Sequence, residues 1–289
     1  MPYLLIAISN ILGGSTYAVT TEALKGFAEK DLMLLRMALC AALFVPFAWL
    51  GRRRLAAATR GDWTRIVAVG TLGYALPLAL GTYGVKLSSA TSASLLVGVE
   101  PVTIVLLSAV FLGERLTGLK ILSLVLGLTG AMLIAFQGLP TLSGAFTDRL
   151  KGDLILAFHG GCWALYSVLG KSALKRVEPL DFTAVTSIIG FLGVAAWASW
   201  GAVPSSWTQA EPAAWLAIAY LAAAGGFLAV VLWNVALKKV EASKVANFIF
   251  LQPVVGVLLG VGLQGDPLSG WSMAGGALVL GGMYAAAHS

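Results

Sequence analysis

Apolar residues along this chain do not alternate with polar ones; they run on in long blocks separated by short polar breaks. A bilayer core takes about 20 mostly apolar residues per helix. Divided on that length, the chain holds ten runs, at 3–22, 31–51, 63–84, 88–112, 118–137, 153–172, 180–201, 213–237, 242–263 and 269–287. Membrane strands are excluded, because the runs are continuous and about twice the length of a barrel strand. Connections are short, and even the longest (52–62, 138–152 and 202–212) leave no room for a soluble domain. The pattern predicts an all-α membrane protein with ten transmembrane helices.

Composition agrees. The 289 residues are 58% hydrophobic and 11% charged, with a mean hydropathy of +0.88. Soluble domains carry roughly 25% charged residues, so this chain lacks the charge to coat a water-facing surface. A soluble globular protein, a disordered chain and a nucleic-acid binder are all excluded, despite the formal charge of +6. Cys40 and Cys162 sit inside apolar runs without ligand spacing and read as buried small hydrophobes. Met1-Pro2-Tyr3 offers no basic region ahead of the first run, so that run is expected to persist as a span and not to be cleaved.

The basic residues give the expected orientation. With the N-terminus inside, the inner loops hold thirteen of them: Arg52, Arg53, Arg54, Arg60, Arg65, Arg115, Lys120, Lys171, Lys175, Arg176, Lys238, Lys239 and Lys244. The outer side holds five: Lys25, Lys30, Lys86, Arg149 and Lys151. Arg36 falls within a span. The positive-inside bias therefore places both termini in the cytoplasm, in an inner-membrane, multi-pass protein.

The chain also repeats itself. Residues 85–118 align without gaps on 237–270 at an offset of 152, with Lys86/Lys238, Ala90/Ala242, Pro101/Pro253, Gly113/Gly265 and Gly118/Gly270 among the identities. Glu100/Gln252 and Glu114/Asp266 are near matches, and Gly13-Gly14 echoes Gly160-Gly161. Two five-helix repeats follow, 1–138 and 139–289. Because five is odd, the second enters the membrane from the opposite side. Inverted repeats are the common architecture of secondary transporters, with the substrate held near the midplane.

The stretch Val99-Glu100-Pro101-Val102, followed by Leu112-Gly113-Glu114-Arg115-Leu116 and by Gly127 and Gly130, resembles the end-of-domain pattern of EamA-type carriers of the drug/metabolite transporter superfamily. Leu35-Arg36-Met37-Ala38 resembles that family's second helix. The resemblance covers the whole chain as two EamA units. Its aromatic-rich ten-span layout is similar to bacterial exporters of aromatic amino acids. It implies spans one to four and six to nine around a central cavity, with five and ten peripheral, and export of small metabolites by alternating access. The second half departs from the pattern at Gln252 and at Asp266-Pro267, and Ser15-Thr16-Tyr17 stands where the family shows a tryptophan, a role open to Trp163.

Candidate site residues come from polar and aromatic groups at membrane depth. Glu100-Pro101 and Gln252-Pro253 lie near the middle of matching runs, where proline frees the carbonyl four residues earlier, Val97 and Ile249. Paired interruptions of this kind are the best pointer to a transporter's site, and Pro101 and Pro253 are read as its hinges. A lipid-facing, unpaired Glu100 would cost roughly 2.5–3.5 kcal/mol, so it is expected to face the interior, as substrate, proton or structural partner. Arg36 either snorkels to the headgroups or clamps a carboxylate with its planar fork. His159 is either a packing residue or a cavity-lining group. Tyr17, Tyr74, Tyr83, Trp163, Tyr166 and Trp233 fall within spans, as a candidate stacking wall, and Asn10, Asn247 and Gln252 supply polar groups.

The functional reading is a secondary transporter exporting aromatic or other neutral amino acids. Its two halves would rock about a midplane site. Exporters of organic cations or drugs, and of sugars or nucleosides, are the alternatives. No cofactor, metal or ATP-binding loop is expected, and no enzymatic step. The expected partners are a small-molecule substrate and the bilayer; oligomeric state is left open.

Overall fold

The computed structural model describes residues 1–87, 98–136, 146–198, 207, 210–259, 261–262 and 269–289. Among them there is no strand. The helices are α1 (Pro2–Ala23), α2 (Glu29–Ala56), α3 (Arg60–Ala68), α4 (Leu76–Leu87), α5 (Val99–Leu112), α6 (Gly118–Phe136), α7 (Phe146–Ala173), α8 (Pro179–Ala198), α9 (Pro212–Tyr220), α10 (Ala229–Lys239), α11 (Ala242–Ala246), α12 (Leu251–Leu259) and α13 (Gly270–Ala287).

Six of the described helical segments are long and apolar enough to cross a membrane: Pro2–Thr20, Glu29–Ala56, Arg60–Gly81, Pro179–Trp197, Pro212–Lys239 and Ala242–Leu259. Val99–Leu112 and Gly118–Ile134 are shorter apolar helices. The side chains are arranged as a lipid solvent demands. Leu4, Trp49, Leu50, Val110, Phe111, Leu216 and Tyr284 point outward, whereas Asn10, Ser167, Thr183, Thr186, Asn234 and Asn247 are buried. Polar groups that water cannot reach must be satisfied inside the protein.

Two helices expected to be regular are not. Between α3 and α4 the residues Val69–Ala75 form a π-helical stretch, and Leu221–Leu228 form another between α9 and α10. Val69 and Leu221 are separated by the same 152 residues that relate the repeated motifs. π-Turns inside α-helices are frequent at functional sites. Both stretches carry the close packing of their helices. A side chain at Gly73 would put its Cβ 2.9 Å from the Tyr166 Cα, so α7 can approach only a glycine there.

The packing pairs recur with the N- and C-terminal segments exchanged. α1 lies on α10 and α12, as α7 lies on α4 and α5. α2 packs on the second π-stretch, as α8 packs on the first; α2 also packs on α8, and α6 on α13. Packed neighbours are therefore drawn from both sequence halves, and the two groups meet through α2 and α8. One bundle is made of α1, α2, α9–α10 and α11–α12; the other is made of α3–α4, α5, α7 and α8. The reason is local. The first helix of each segment carries the glycines that fit the fourth helix of the other.

Both prolines lie early in a helical element. α5 begins at Val99, so Pro101 occupies a first turn, where its missing N–H costs no helical bond; Val97 lies outside the described residues. Pro253 likewise falls in the first turn of α12. The tightening there is a 3₁₀ turn over Asn247–Phe250, in which the Leu251 N–H reaches back to the Phe248 carbonyl. Among the described residues, irregular backbone thus precedes Pro253 within the helical run Ala242–Leu259.

Candidate functional site

The site is built where α1 crosses α12 and where α7 crosses α5. At the first crossing a Cβ on Gly14 would lie 2.9 Å from the Gln252 carbonyl oxygen, so backbones meet directly. At the second, a Cβ on Gly160 would lie 3.3 Å from the Glu100 nitrogen. The glycine pairs and the Glu100/Gln252 pair, noted separately in the sequence, are thus two ends of one recurring contact.

The two crossings differ in chemistry. Gln252 Nε2 donates to Asn10 Oδ1 at 3.0 Å, and Asn10 Nδ2 donates to the Ile6 carbonyl at 2.9 Å. Asn10 is three residues before Gly13, and the residue three before Gly160 is Ala157. Glu100 therefore has no amide facing it from α7. It is partly buried and forms no hydrogen bond or ion pair with a described residue.

Arg36 lies on α2, partly buried, where the second π-stretch passes. A Cβ on Gly225 would lie 2.6 Å from the Thr16 Cγ2, so the glycine makes room for Thr16, and the Arg36 Nη2 lies at ordinary contact distance, 3.7 Å, from the same point. Among the described residues no carboxylate pairs with it, and it forms no ion pair with Glu100.

Aromatic side chains form a wall. Tyr74 meets Trp163 edge-on at 5.7 Å between centroids and Tyr166 at 5.9 Å. Trp163 meets Tyr166 at 5.6 Å and His159 at 6.4 Å. His159 Nδ1 lies 2.6 Å from the Pro77 carbonyl, in a space kept open by Gly81, whose Cβ would fall 2.8 Å from the imidazole. The imidazole thus ties α7 to α4 beside Trp163. Trp163 is partly buried, whereas Tyr74 and Tyr166 are almost wholly enclosed.

The structure does not gather every expected residue. Tyr83 is 54% exposed on α4, away from the wall. Asn247 is buried in the 3₁₀ turn, donating to the Ser243 carbonyl at 3.0 Å. The Tyr17 side chain lies outside the described residues. Sequence reasoning also missed Asn234, which is fully buried and donates to Tyr166 Oη at 2.7 Å and Thr183 Oγ1 at 2.8 Å. A lone asparagine beside Trp233 within an apolar run was its signal. Removing that donor with Asn234→Leu is expected to cost about 1–3 kcal/mol, because Tyr166 and Thr183 lose a partner where no water replaces it. Thermal unfolding in detergent measures this.

With this geometry in place, comparison with known proteins is informative. The EamA-like transporter family model matches residues 1–136 and again 150–287. The chain belongs to this family. It is 26% identical over 288 residues to an uncharacterized transporter, YyaM, of Bacillus subtilis, covering 98% of this chain and 92% of the relative. It is 25% identical over 289 residues to a probable terminal-alkyne amino-acid exporter of Streptantibioticus cattleyicolor, covering 96% and 90%. A crystal structure superposes with a TM-score of 0.80 at 24% identity, covering 98% of this chain and 96% of that one, which shows the fold. The EamA-like chain is accordingly a multi-pass membrane transporter.

Proposed function

We propose that this EamA-like protein is a secondary transporter exporting small metabolites across the inner membrane, with aromatic and other neutral amino acids as its substrates. One observation carries the reading. Arg36 and Glu100 are ionisable side chains within apolar helices, and neither is paired with a described residue. Charges inside a membrane domain are costly and are ordinarily paired. A zwitterion supplies both missing partners at once, a carboxylate for the guanidinium fork and an ammonium for the glutamate. Tyr74, Trp163 and His159 follow one another edge-on and give a planar side chain an aromatic wall. The name of the Streptantibioticus relative points the same way.

The transport cycle is alternating access in ten helices arranged as two inverted repeats, 1–138 and 139–289. The repeated offset of 152 and the exchanged packing pairs support that architecture. The basic loops put both termini in the cytoplasm. Consistent with a shared side, Tyr3 Oη donates to the Ala287 carbonyl at 3.2 Å. The protein is a carrier and performs no chemistry on its substrate. A second reading, export of organic cations, is favoured by Glu100 and the aromatic wall taken without Arg36.

Counterflow in proteoliposomes separates the two. Labelled phenylalanine should accumulate against trapped unlabelled phenylalanine, and tryptophan should compete while sugars should not. Arg36→Gln should raise the apparent KM for phenylalanine roughly tenfold or more, as expected for loss of a charged hydrogen bond, and leave inhibition by phenethylamine unchanged. Phenethylamine exchange without phenylalanine exchange would establish the cation reading instead.

A further inference from the structure

At the basic end of the molecule charged groups reach from one bundle to the other. Arg54 on α2 grips Asp181 on α8 with two nitrogens, at 2.7 and 2.8 Å. Lys238 on α10 meets Glu178 before α8 at 3.0 Å. The Lys238–Glu178 pair is largely exposed, where an ion pair contributes little, whereas Asp181 is only 1% exposed and its two-point pair with Arg54 adds to the closure of this end.

A second set grips helix ends. α10 ends and α11 begins across the short turn Val240–Glu241, within the first bundle. From the second bundle, Lys171 Nζ at the end of α7 donates to the Leu237 and Val240 carbonyls, each at 2.6 Å. From the segment after α5, Glu114 accepts from the Ala242 N–H at 2.7 Å, the Ser243 N–H at 3.0 Å and the Ser243 hydroxyl at 2.5 Å. An ammonium thus sits on the carbonyl end of one helix and a carboxylate on the amide end of the next. Each charge complements the dipole of the terminus it touches. Gly113 makes this possible. Its left-handed φ of 69° turns the chain off the end of α5 and delivers Glu114 to the neighbouring helix.

At the opposite end the charged interaction between bundles among the described residues is weaker. Lys30 on α2 lies over the Trp197 ring on α8 at 5.0 Å.

We propose that Glu114 and Lys171 form a two-sided clip on the α10–α11 turn that acts as the inner gate. The clip holds the basic end closed, and its release lets the bundles part there. This inference rests on the alternating-access reading above but not on the identity of the substrate. Glu114 and Lys171 are positioning groups that bias a conformational equilibrium and touch no substrate.

The test is a distance measurement between spin labels across the basic end, in full-length protein in lipid nanodiscs without substrate. Labels go on Lys175→Cys, in the turn between α7 and α8, and on Lys239→Cys, at the end of α10. Both positions are exposed and belong to different bundles. Cys40 and Cys162 are replaced by alanine. With the clip intact, one short distance should dominate. Glu114→Gln should add a longer population, and Glu114→Gln with Lys171→Met should raise the long-to-short ratio roughly tenfold, the scale expected for losing charges at helix ends. The single variant keeps the side chain's size and an acceptor oxygen, so it decides the matter if the double variant does not fold. An unchanged distance distribution in monodisperse variant protein overturns the gate and leaves these groups a purely structural role. Failure of amino-acid counterflow would overturn the substrate reading and leave this distance result standing.

Discussion

Glu100→Gln is expected to reduce the initial rate of phenylalanine counterflow by roughly a hundredfold, the scale of losing a buried charge-assisted interaction. The substitution preserves volume and removes only the charge. Its effect should be large because the Glu100 backbone lies against Gly160 on α7 and the glutamate has no partner among the described residues to take over its role. The matching position supplies the control. Gln252 already carries an amide there, and it is held by Asn10 at 3.0 Å. Asn10→Ala should therefore weaken packing between α1 and α12 and leave substrate recognition through Glu100 in place. Counterflow rates of the two variants, measured beside wild type at equal reconstituted protein, check both statements. Wild-type exchange by Glu100→Gln would remove the glutamate from the substrate site. If exchange persisted while uphill accumulation was lost, its role would be coupling.

The second large effect concerns stability. α6 and α13 cross so closely that a Cβ on Gly130 would lie 2.5 Å from the Gly275 carbonyl oxygen, and a Cβ on Gly275 would lie 2.5 Å from the Gly130 carbonyl oxygen. Further along, a Cβ on Gly282 would fall 2.8 Å from the Ser123 carbonyl oxygen. Backbone cannot rotate aside as a side chain can. Close helix approach is also the main source of association in lipid, where no hydrophobic effect drives helices together. Gly130→Ala should thus force the helices apart and destabilise the protein by about 1–3 kcal/mol. A Cβ on Gly276, the neighbour of Gly275, would meet nothing within 4 Å, so Gly276→Ala should be nearly neutral. Thermal denaturation in one detergent distinguishes the two. Equal midpoints would show that the crossing yields more easily than its geometry indicates.

Much of the candidate site could be read from the residues, for a physical reason. A charge, a proline or a glycine pair is conspicuous in an apolar run, since each has a cost that lipid does not offset. Glu100, Arg36, Gln252 and the two glycine pairs were all visible in this way. Tyr83 and Asn234 show where that signal fails. An aromatic in an apolar run carries no mark of which face it occupies, and Tyr83 turns outward. One asparagine among many apolar residues gives no hint of its partners, which lie 68 and 51 residues away.

The sequence by itself determined the all-helical membrane class and the transporter family. Both depend on properties that accumulate along the chain: the length of apolar runs, the scarcity of charge and the recurrence of motifs. Tertiary structure alone decided how the helices pair. Each segment's first helix packs on the other's third and fourth, and the bundles therefore mix the two halves. It also decided that Arg36 and Glu100 form no ion pair, that the prolines sit in first turns, and that Glu114 holds a helix terminus 128 residues distant. These outcomes depend on which surfaces meet in space. In a medium as apolar as the side chains themselves, that choice is made by close packing and a few polar contacts, which leave no period in the sequence.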